Sequence, residues 1–115
     1  MTVIRHEPSK IYSKAVEANG FVFTAGITAQ DVTKDVKGQT QEILAEIDRL
    51  LAKCGTNKTK AVFATIWLSD IRLRDAMNEV WNAWTGGENL PGRACIQAAL
   101  ADPRMLVEIQ VTAAK

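Results

Sequence analysis

The chain has very few residues of the types that build disulfide frameworks and zinc sites. Its 115 residues include two cysteines and one histidine. Cys54 and Cys95 fall in different sequence contexts, so we expect two free thiols. His6 and these cysteines are too few for a zinc site without carboxylates, and they show no zinc-ligand spacing. The sequence therefore predicts no disulfide and no metal site.

The sequence also lacks an excess of charge of either sign and a long apolar run. Fourteen basic against 13 acidic side chains give a net charge of +1, without a basic stripe. Bulk electrostatics therefore gives no support to a nucleic acid partner. No apolar run approaches the roughly 18 residues of a membrane span, and the opening segment MTVIRHEPSK lacks the apolar core of a signal peptide. We expect a cytoplasmic protein without a membrane partner.

The composition is otherwise ordinary for a globular protein, with 47% hydrophobic and 23% charged residues. A chain of this length forms one domain with a buried core, so residues 1–115 are expected to be a single domain. Weak alternation over residues 2–6 predicts an edge strand. Asn19-Gly20 between two apolar runs predicts a hairpin with a type I′ turn. Residues 27–34 are expected to form a loop, and the apolar run 61–68 a central strand.

Two helices are predicted from apolar stripes and their flanking residues. The first begins at the N-cap Asp35 and ends at Gly55. The second is capped by Asp70 and ends at Gly86-Gly87. Their stripes consist of Ile43, Leu44, Ile47, Leu50, Leu51 and Cys54 in the first helix, and Leu73, Met77, Val80, Trp81 and Trp84 in the second. Asn78 beside the second stripe is either a polar anchor or an exposed residue.

The last stretch, residues 90–114, contains two apolar-rich runs around a turn signal at residues 101–104. This pattern predicts an antiparallel hairpin. A register that keeps the alternating apolar residues of both runs together places Arg93, Cys95 and Glu108 on one face. The hairpin would then present a cation, a thiol and a carboxylate together. A solvated cross-strand pair of arginine and glutamate is the plainer interpretation of the same pattern.

The predicted order is strand, hairpin, helix, strand, helix, hairpin. It indicates an α+β domain with two helices on one face of a mixed sheet of about six strands. The strands on either side of the second helix can pair in parallel through a right-handed crossover. The uncovered face would carry Arg93, Cys95, Gln97 and Glu108. It would also carry, from the central strand, either Phe63, Thr65 and Trp67 or Val62, Ala64, Ile66 and Leu68. So much apolar area is not normally left in water, which favours self-association.

Several segments together resemble the RidA family, also called YjgF, a family of enamine/imine deaminases. They are Tyr12, FVFTAG, DVKGQTQEILAEIDRLLAKCG, the strand from Lys60 to Ser69 closing on Asp70, MNEVWNAW, and LPGRACIQAAL followed by VEIQVTAA. The resemblance covers about residues 3–114, and the Pro-x-Arg-x-Cys block with the downstream Val-Glu-Ile is its specific part. It implies a chorismate-mutase-like fold and a homotrimer, with the sheets in a central barrel, the helices outside, and three sites between subunits.

The resemblance also implies hydrolysis of short 2-imino and 2-enamino acids, such as 2-iminopropionate and 2-aminoacrylate, to 2-oxo acids and ammonia. This is the activity of a 2-iminobutanoate/2-iminopropanoate deaminase, and it limits damage by reactive metabolites. Arg93 matches the family arginine that binds the substrate carboxylate, a task that suits a guanidinium group. Glu108 matches the glutamate proposed to orient and deprotonate the attacking water. No cofactor or metal is expected.

Other expected site residues line the pocket. Cys95 matches the family cysteine, and we expect it to meet the amine rather than to attack, because nothing marks the lone histidine as its partner base. Tyr12 is expected to close the pocket, and Ala25 and Gly26 to contact the substrate. Many members have Ser and Gln at the positions of Ala25 and Ile27, so a hydroxyl is missing here. This indicates a more apolar pocket and a subgroup other than the best-known one.

Three functions remain open from the sequence. The first is the deaminase, and the second is a trimer that binds a small carboxylate such as a 2-oxo acid without turnover. The third is an RNA-acting protein, because some relatives carry ribonuclease or translation-inhibitor labels. The near-neutral charge and the lack of a histidine pair argue against the third. Gly92, where alanine is common, is expected to loosen the backbone just before Arg93.

Overall fold

The computed structural model of the chain describes residues 1–115 and contains seven strands and two helices. The strands are β1 (Val3–Pro8), β2 (Ser13–Ala18), β3 (Phe21–Thr24), β4 (Ile27–Thr28), β5 (Ala61–Leu68), β6 (Gly92–Gln97) and β7 (Val107–Ala114). The helices are α1 (Val36–Lys53) and α2 (Arg74–Thr85). Short 3-10 helices span Lys58–Lys60 and Ile71–Leu73.

All strands belong to one mixed sheet with the order β1-β2-β3-β7-β5-β6, and the short β4 also pairs with β7. Only β5 and β6 pair in parallel, while the other pairs are antiparallel. The parallel pairing across α2 and the position of β1 at an edge confirm two sequence predictions. The α+β class with two helices and a mixed sheet is also confirmed.

The first hairpin forms as predicted, with Asn19 and Gly20 between β2 and β3. Their φ angles of 52° and 80° lie in the left-handed region that a type I′ turn requires. The residues after Gly26 differ from the prediction, because Ile27 and Thr28 form β4 instead of a loop. A two-residue strand is too short to produce a sequence pattern, so its pairing with β7 was not predictable from alternation.

Helix α1 covers the sheet with the stripe that the sequence predicted. The Asp35 side chain caps it by accepting a hydrogen bond from the Gly38 amide at 2.8 Å. Gly55, with a φ of 79°, follows its last turn. The stripe residues Ile43, Leu44, Ile47, Leu50, Leu51 and Cys54 are all buried. They pack on the sheet in a core that also includes Met77 and Trp81 of α2.

Helix α2 begins slightly later than predicted. Asp70 caps the 3-10 helix Ile71–Leu73 by accepting a hydrogen bond from the Arg72 amide, and α2 follows from Arg74. Gly86, with a φ of 66°, forms the C-cap. Neither helix is long and apolar enough to cross a membrane.

The predicted hairpin between the last two strands is wrong. The turn at residues 101–104 does form, since the Met105 amide donates to the Asp102 carbonyl at 2.9 Å. However, β5 lies between β6 and β7 and pairs with both of them. The physical reason is that β5 is an eight-residue apolar strand whose backbone groups need partners on both edges. Pairing β6 directly with β7 would leave one of those edges unpaired.

This topology also overturns the prediction that Arg93, Cys95 and Glu108 share a face. Ile66 of β5 lies opposite Cys95, and the next residue, Trp67, lies opposite Glu108. Consecutive residues of a strand point to opposite faces, and directly paired residues point to the same face. Arg93 and Cys95 therefore lie on the helix-covered face, and Glu108 lies on the open face.

The open face carries Phe63, Thr65 and Trp67, one of the two sets that the sequence allowed. Phe21 and Phe23 of β3 extend the same face. Phe21, Phe23 and Phe63 are 38%, 41% and 43% exposed. An apolar face with this much exposed ring surface is what the expected self-association would bury.

Candidate functional site

Glu108 lines a cavity of about 700 Å³ beside β4. Four of the six predicted site residues line this cavity, namely Tyr12, Ala25, Gly26 and Glu108. We call these four residues the Glu108 cluster. Much of the remaining wall is apolar, with Val16, Phe23 and Met105. The cavity thus combines one carboxylate with apolar side chains and with the hydroxyl residues Ser13, Thr24 and Thr28.

The place of the Glu108 carboxylate depends on the missing side chain of Gly26. Glu108 lies opposite Thr28 in the β4–β7 pairing, and its side chain passes over Gly26. A Cβ atom at Gly26 would overlap Glu108 Oε2 and would lie 3.0 Å from Glu108 Cδ. Glycine at this position therefore gives the carboxylate room beside the turn.

Thr24 fixes the backbone that leads into this turn. Its buried hydroxyl donates to the Ala25 carbonyl at 2.9 Å and accepts from the Val111 amide at 3.0 Å. Because Val111 belongs to β7, these two bonds tie the Ala25-Gly26 segment to the strand that carries Glu108. No pattern in the sequence indicates this role, since Thr24 follows the ordinary alternation of β3.

Tyr12 lies at the mouth of the cavity with 55% of its surface exposed. Its backbone is held by Ser9, whose Oγ accepts from the Tyr12 amide at 3.2 Å and donates to the Tyr12 carbonyl at 3.0 Å. Tyr12, Gly26 and Thr28 also line a second cavity of about 620 Å³ toward α1. Tyr12 therefore lines both cavities, and its role in closing the pocket stays a prediction.

Arg93 is held on the other face of the sheet by two residues of α2. Its Nη1 donates to Asn78 Oδ1 at 2.7 Å, and its Cζ lies 5.4 Å from the centroid of the Trp81 ring. Asn78 and Trp81 are three residues apart, so they lie on the same side of the helix. The hydrogen bond and the cation–π contact fix the orientation of the guanidinium group. Its other N–H groups can bind a carboxylate.

Asn78 and Trp81 are functional candidates to which the sequence assigned no role in the site. The sequence allows Asn78 to be an anchor for a neighbouring loop or an exposed residue, whereas in the structure it accepts a hydrogen bond from Arg93 of strand β6. Trp81 was predicted as core, and at 5% exposure it is core, but its ring face also supports Arg93. A polar residue three positions before an aromatic one on a helix was the only signal available.

Cys95 follows Arg93 by two residues on the same face and is half-buried with a free thiol. Burial raises the pKa of this thiol, and the positive charge of Arg93 offsets the effect only in part. The protonated form therefore dominates at neutral pH, which favours a lining role over a nucleophilic one. The only histidine, His6, is bonded to Glu17 at 2.6 Å and offers Cys95 no base.

The predicted site residues thus form two groups in a single chain. We call the second group, consisting of Asn78, Trp81, Arg93 and Cys95, the Arg93 cluster. The Glu108 cluster and the Arg93 cluster lie on opposite faces of the sheet, with β5 between their strands. One chain therefore holds a carboxylate with an apolar cavity and, separately, an oriented guanidinium group.

Known proteins match this chain over nearly its whole length. The family described as endoribonuclease L-PSP matches residues 4–115. A RutC family protein from Haemophilus ducreyi is 38% identical over 112 residues, which cover 97% of this chain and 96% of that protein. The RutC family protein YoaB from Escherichia coli is 36% identical over 114 residues, with 99% of each chain covered.

Solved structures share the fold as well as the sequence. NMB1025 from Neisseria meningitidis, a member of the YjgF protein family, matches with a TM-score of 0.96 at 40% identity, covering 100% of this chain and 96% of that one. Rv2704 from Mycobacterium tuberculosis, a member of the YjgF/YER057c/UK114 family, matches with a TM-score of 0.89 at 26% identity, covering 99% and 100%. The chain therefore belongs to the YjgF/RidA family, the family described as endoribonuclease L-PSP, which includes the RutC family proteins.

Proposed function

We propose that the chain is a cytoplasmic homotrimer that hydrolyses reactive 2-imino and 2-enamino acids to 2-oxo acids and ammonia. The observation that carries this proposal is the pair of complementary clusters on opposite faces of one sheet. The Arg93 cluster supplies a group that can bind the substrate carboxylate, and the Glu108 cluster supplies a base that can orient the attacking water. Neither cluster supplies both groups. A site between two copies would combine the Arg93 cluster of one copy with the Glu108 cluster of another.

The Arg93 cluster suits the substrate carboxylate. Asn78 takes one N–H of the guanidinium group and Trp81 covers one of its faces. The remaining N–H groups are free to bind the two carboxylate oxygens in the bidentate manner typical of arginine. Because the guanidinium group is already oriented, the substrate loses less binding energy to ordering it.

The Glu108 cluster suits the attacking water. Glu108 would orient a water molecule toward the imine carbon and accept its proton as the carbon–oxygen bond forms. Glu108 returns this proton to the nitrogen to give the carbinolamine, which then collapses to the 2-oxo acid and ammonia as its hydroxyl proton passes to the nitrogen. An enamine substrate first tautomerises to the imine. Since an imine is already an activated electrophile, positioning of the two reactants supplies much of the acceleration.

Two features of the chain support association into a trimer. On the open face, Phe21, Phe23 and Phe63 remain partly exposed, and association of copies across this face would bury them. Strand β6, which carries Arg93, lies at the edge of the sheet and has unpaired backbone groups on one side. We expect light scattering to give three times the chain mass of 12.6 kDa. A species of a single chain mass would contradict the shared site.

The reaction can be tested with an imine that is generated in place. An amino-acid oxidase produces 2-iminopropionate from alanine, and semicarbazide traps it. We expect the protein to lower the trapped amount, and Arg93→Ala and Glu108→Gln to lose this effect. Arg72→Ala is a matched control, because Arg72 is exposed and bonds only Asp70. If wild type and Arg93→Ala behave alike, the enzymatic proposal fails.

Mixing the two inactive variants tests whether sites are shared. In a trimer with sites between copies, the Glu108→Gln chain still supplies Arg93 and the Arg93→Ala chain still supplies Glu108. Random mixed trimers would then regain about a quarter of the sites, since each site draws on two copies. A site within one chain predicts no recovery on mixing. Refolding the variants together and repeating the trapping assay distinguishes the two arrangements.

The Arg93 cluster also supports a second candidate function, binding of a 2-oxo acid without turnover. Binding without turnover predicts that pyruvate raises the melting temperature of wild type and Glu108→Gln but not of Arg93→Ala. It also predicts that neither wild type nor the variants lower the amount of trapped imine.

The family description also names endoribonuclease. Against RNA cleavage, the one histidine is bonded to Glu17 and lines neither cavity. Labelled RNA that stays intact across a range of salt concentrations would exclude that activity.

A further inference from the structure

Three side chains with metal-binding atoms meet away from both clusters, where the last turn of α1 lies over the helix-covered face. His6 comes from β1, Glu17 from β2, and Cys54 from the C-cap of α1. One ligand atom from each residue lies within 4.8 Å of the others. None of the three lines either cavity that Tyr12 borders, so the imine-hydrolysis proposal leaves this group unexplained.

The group is largely shielded from solvent. Cys54 is 2% exposed, and the side chains of Glu17 and His6 are 11% and 16% exposed. His6 Nε2 lies 2.6 Å from Glu17 Oε2, and Lys115 Nζ lies 2.5 Å from Glu17 Oε1. Each oxygen of the buried carboxylate therefore has one partner. The exposed part of His6 gives an ion a path from solvent.

We propose that His6, Glu17 and Cys54 bind a divalent transition-metal ion of the zinc type. Imidazole and thiolate ligands together favour Zn²⁺ and Co²⁺ over Mg²⁺ and Ca²⁺, which prefer oxygen ligands. The carboxylate and the thiolate balance the two positive charges of the ion. Three protein ligands leave one tetrahedral position for a water molecule.

The geometry requires only a small closure around the ion. Bonds of about 2.0–2.3 Å in a tetrahedral site bring the ligand atoms to separations of roughly 3.3–3.8 Å. The ligand atoms of His6, Glu17 and Cys54 are at most 4.8 Å apart, so side-chain rotations that move these atoms by about an ångström suffice. The ion would replace the hydrogen bond between His6 and Glu17, and the proton of the Cys54 thiol would pass to solvent as the metal–sulfur bond forms.

Lys115 should oppose binding at this site. Its ammonium group contacts Glu17 and would place a positive charge close to the ion. Removing that charge in Lys115→Gln therefore strengthens metal binding. The sequence predicted no metal site because the three ligands come from three separate elements and have no regular spacing in the chain.

Cobalt provides the test, because a cobalt–thiolate bond has a characteristic charge-transfer absorption. We titrate the purified full-length chain, freed of metal, with Co²⁺ and then with Zn²⁺ as a competitor. The expected result is one Co²⁺ per chain with the charge-transfer band, displaced by Zn²⁺. His6→Gln and Cys54→Ser should each weaken binding by about tenfold or more, and Lys115→Gln should tighten it. Cys95→Ser is the matched control for the other thiol and should bind normally.

Other outcomes overturn the proposal. These are the absence of a charge-transfer band, a band that disappears in Cys95→Ser but persists in Cys54→Ser, and weak binding that none of the substitutions changes. Because Cys54 is in the core, its substitution can reduce folding, so the melting temperature provides a second measurement. Zn²⁺ should raise the melting temperature of wild type and not that of His6→Gln. An equal rise in both proteins contradicts the assignment of His6 as a ligand.

Discussion

Replacing Gly26 by alanine should separate activity from stability. The new Cβ would overlap Glu108 Oε2 and lie 3.0 Å from Glu108 Cδ. The atom that must give way is the end of a flexible side chain, so the carboxylate can move aside at little cost in folding free energy. The φ angle of Gly26 is outside the left-handed region, so alanine fits the backbone and restricts the unfolded chain, which contributes about 0.4–1 kcal/mol of stability.

The activity should respond in the opposite direction. Restoring an ordinary contact of about 3.5 Å with the new methyl group displaces the carboxylate by roughly 1 Å. A displacement of that size at a reacting group costs on the order of 100-fold in rate. We therefore expect Gly26→Ala to melt at or slightly above the wild-type temperature while its kcat/KM for imine hydrolysis falls about 100-fold. The measurements are a thermal melt and the semicarbazide trapping assay.

Two further variants make this prediction specific. Gly20→Ala has free space around the added Cβ but a φ of +80°, so it should lose stability and keep its activity per folded chain. Adding Glu108→Asp to Gly26→Ala shortens the acid by one methylene and should recover part of the rate. If Gly26→Ala retains the wild-type kcat/KM, the place of the Glu108 carboxylate beside Gly26 is not what the reaction requires.

Three other predictions concern the Asn78–Arg93 hydrogen bond, the ion pairs of Glu7, and the burial of the two cysteines. Asn78→Ala should raise KM more than it lowers kcat, because Arg93 loses a hydrogen bond that orients it for the substrate; a change confined to kcat contradicts this role. Arg49 and Lys53 lower the pKa of Glu7 to about 2, so this carboxylate stabilises the fold above about pH 4.5 and loses its contribution as pH falls toward 2. In thermal melts, Glu7→Gln should therefore have a lower melting temperature than wild type at pH 7 and nearly the same melting temperature near pH 2. A difference in melting temperature that is constant at all pH values would refute the stabilising role of the ionised Glu7 carboxylate. Ellman's reagent should label Cys95 before Cys54, since Cys54 is buried in the core. Because burial raises the pKa of the Cys95 thiol, its labelling rate should reach its plateau at a higher pH than that of an exposed cysteine; equal rates for the two cysteines would contradict the difference in burial.

The sequence predicted the elements whose signals are local. Asp35, the apolar stripe and Gly55 define α1 without reference to the rest of the chain. Asn19 and Gly20 define the first hairpin in the same way, because the turn itself requires positive φ angles. Such signals depend on residues that are close in sequence, so tertiary packing does not change the local structure that they predict.

The arrangement of the last two strands depends instead on a distant segment. The turn near Asp102 forms as its sequence predicts, yet the strands on either side of it do not meet. Which strand lies beside β7 is decided by β5, a segment about 40 residues earlier, and no residue near the turn records that competition. The faces of Arg93 and Glu108 follow from the two registers on β5, so this part of the site was not predictable from alternation within residues 90–114.

The structure gives a different physical reason for the glycine at position 92 from the one that the sequence suggested. The sequence suggested that this glycine loosens the backbone before Arg93. In the structure, a Cβ at Gly92 would lie 2.9 Å from Cδ1 of Phe63, its partner in the parallel register. The absent side chain therefore makes room for an aromatic ring on the open face, a requirement that depends on which strand is the neighbour.

The placement of Arg93 and Glu108 on opposite faces has a genetic consequence. Under the proposed function, each copy lends its arginine to one neighbour and its glutamate to the other. In a cell that makes normal and defective chains together, a copy with one lesion disables one of the sites it borders, while a copy with both lesions disables two. Alleles of this protein should therefore differ in dominance according to whether they damage one face or both, and two recessive alleles on different faces should complement each other.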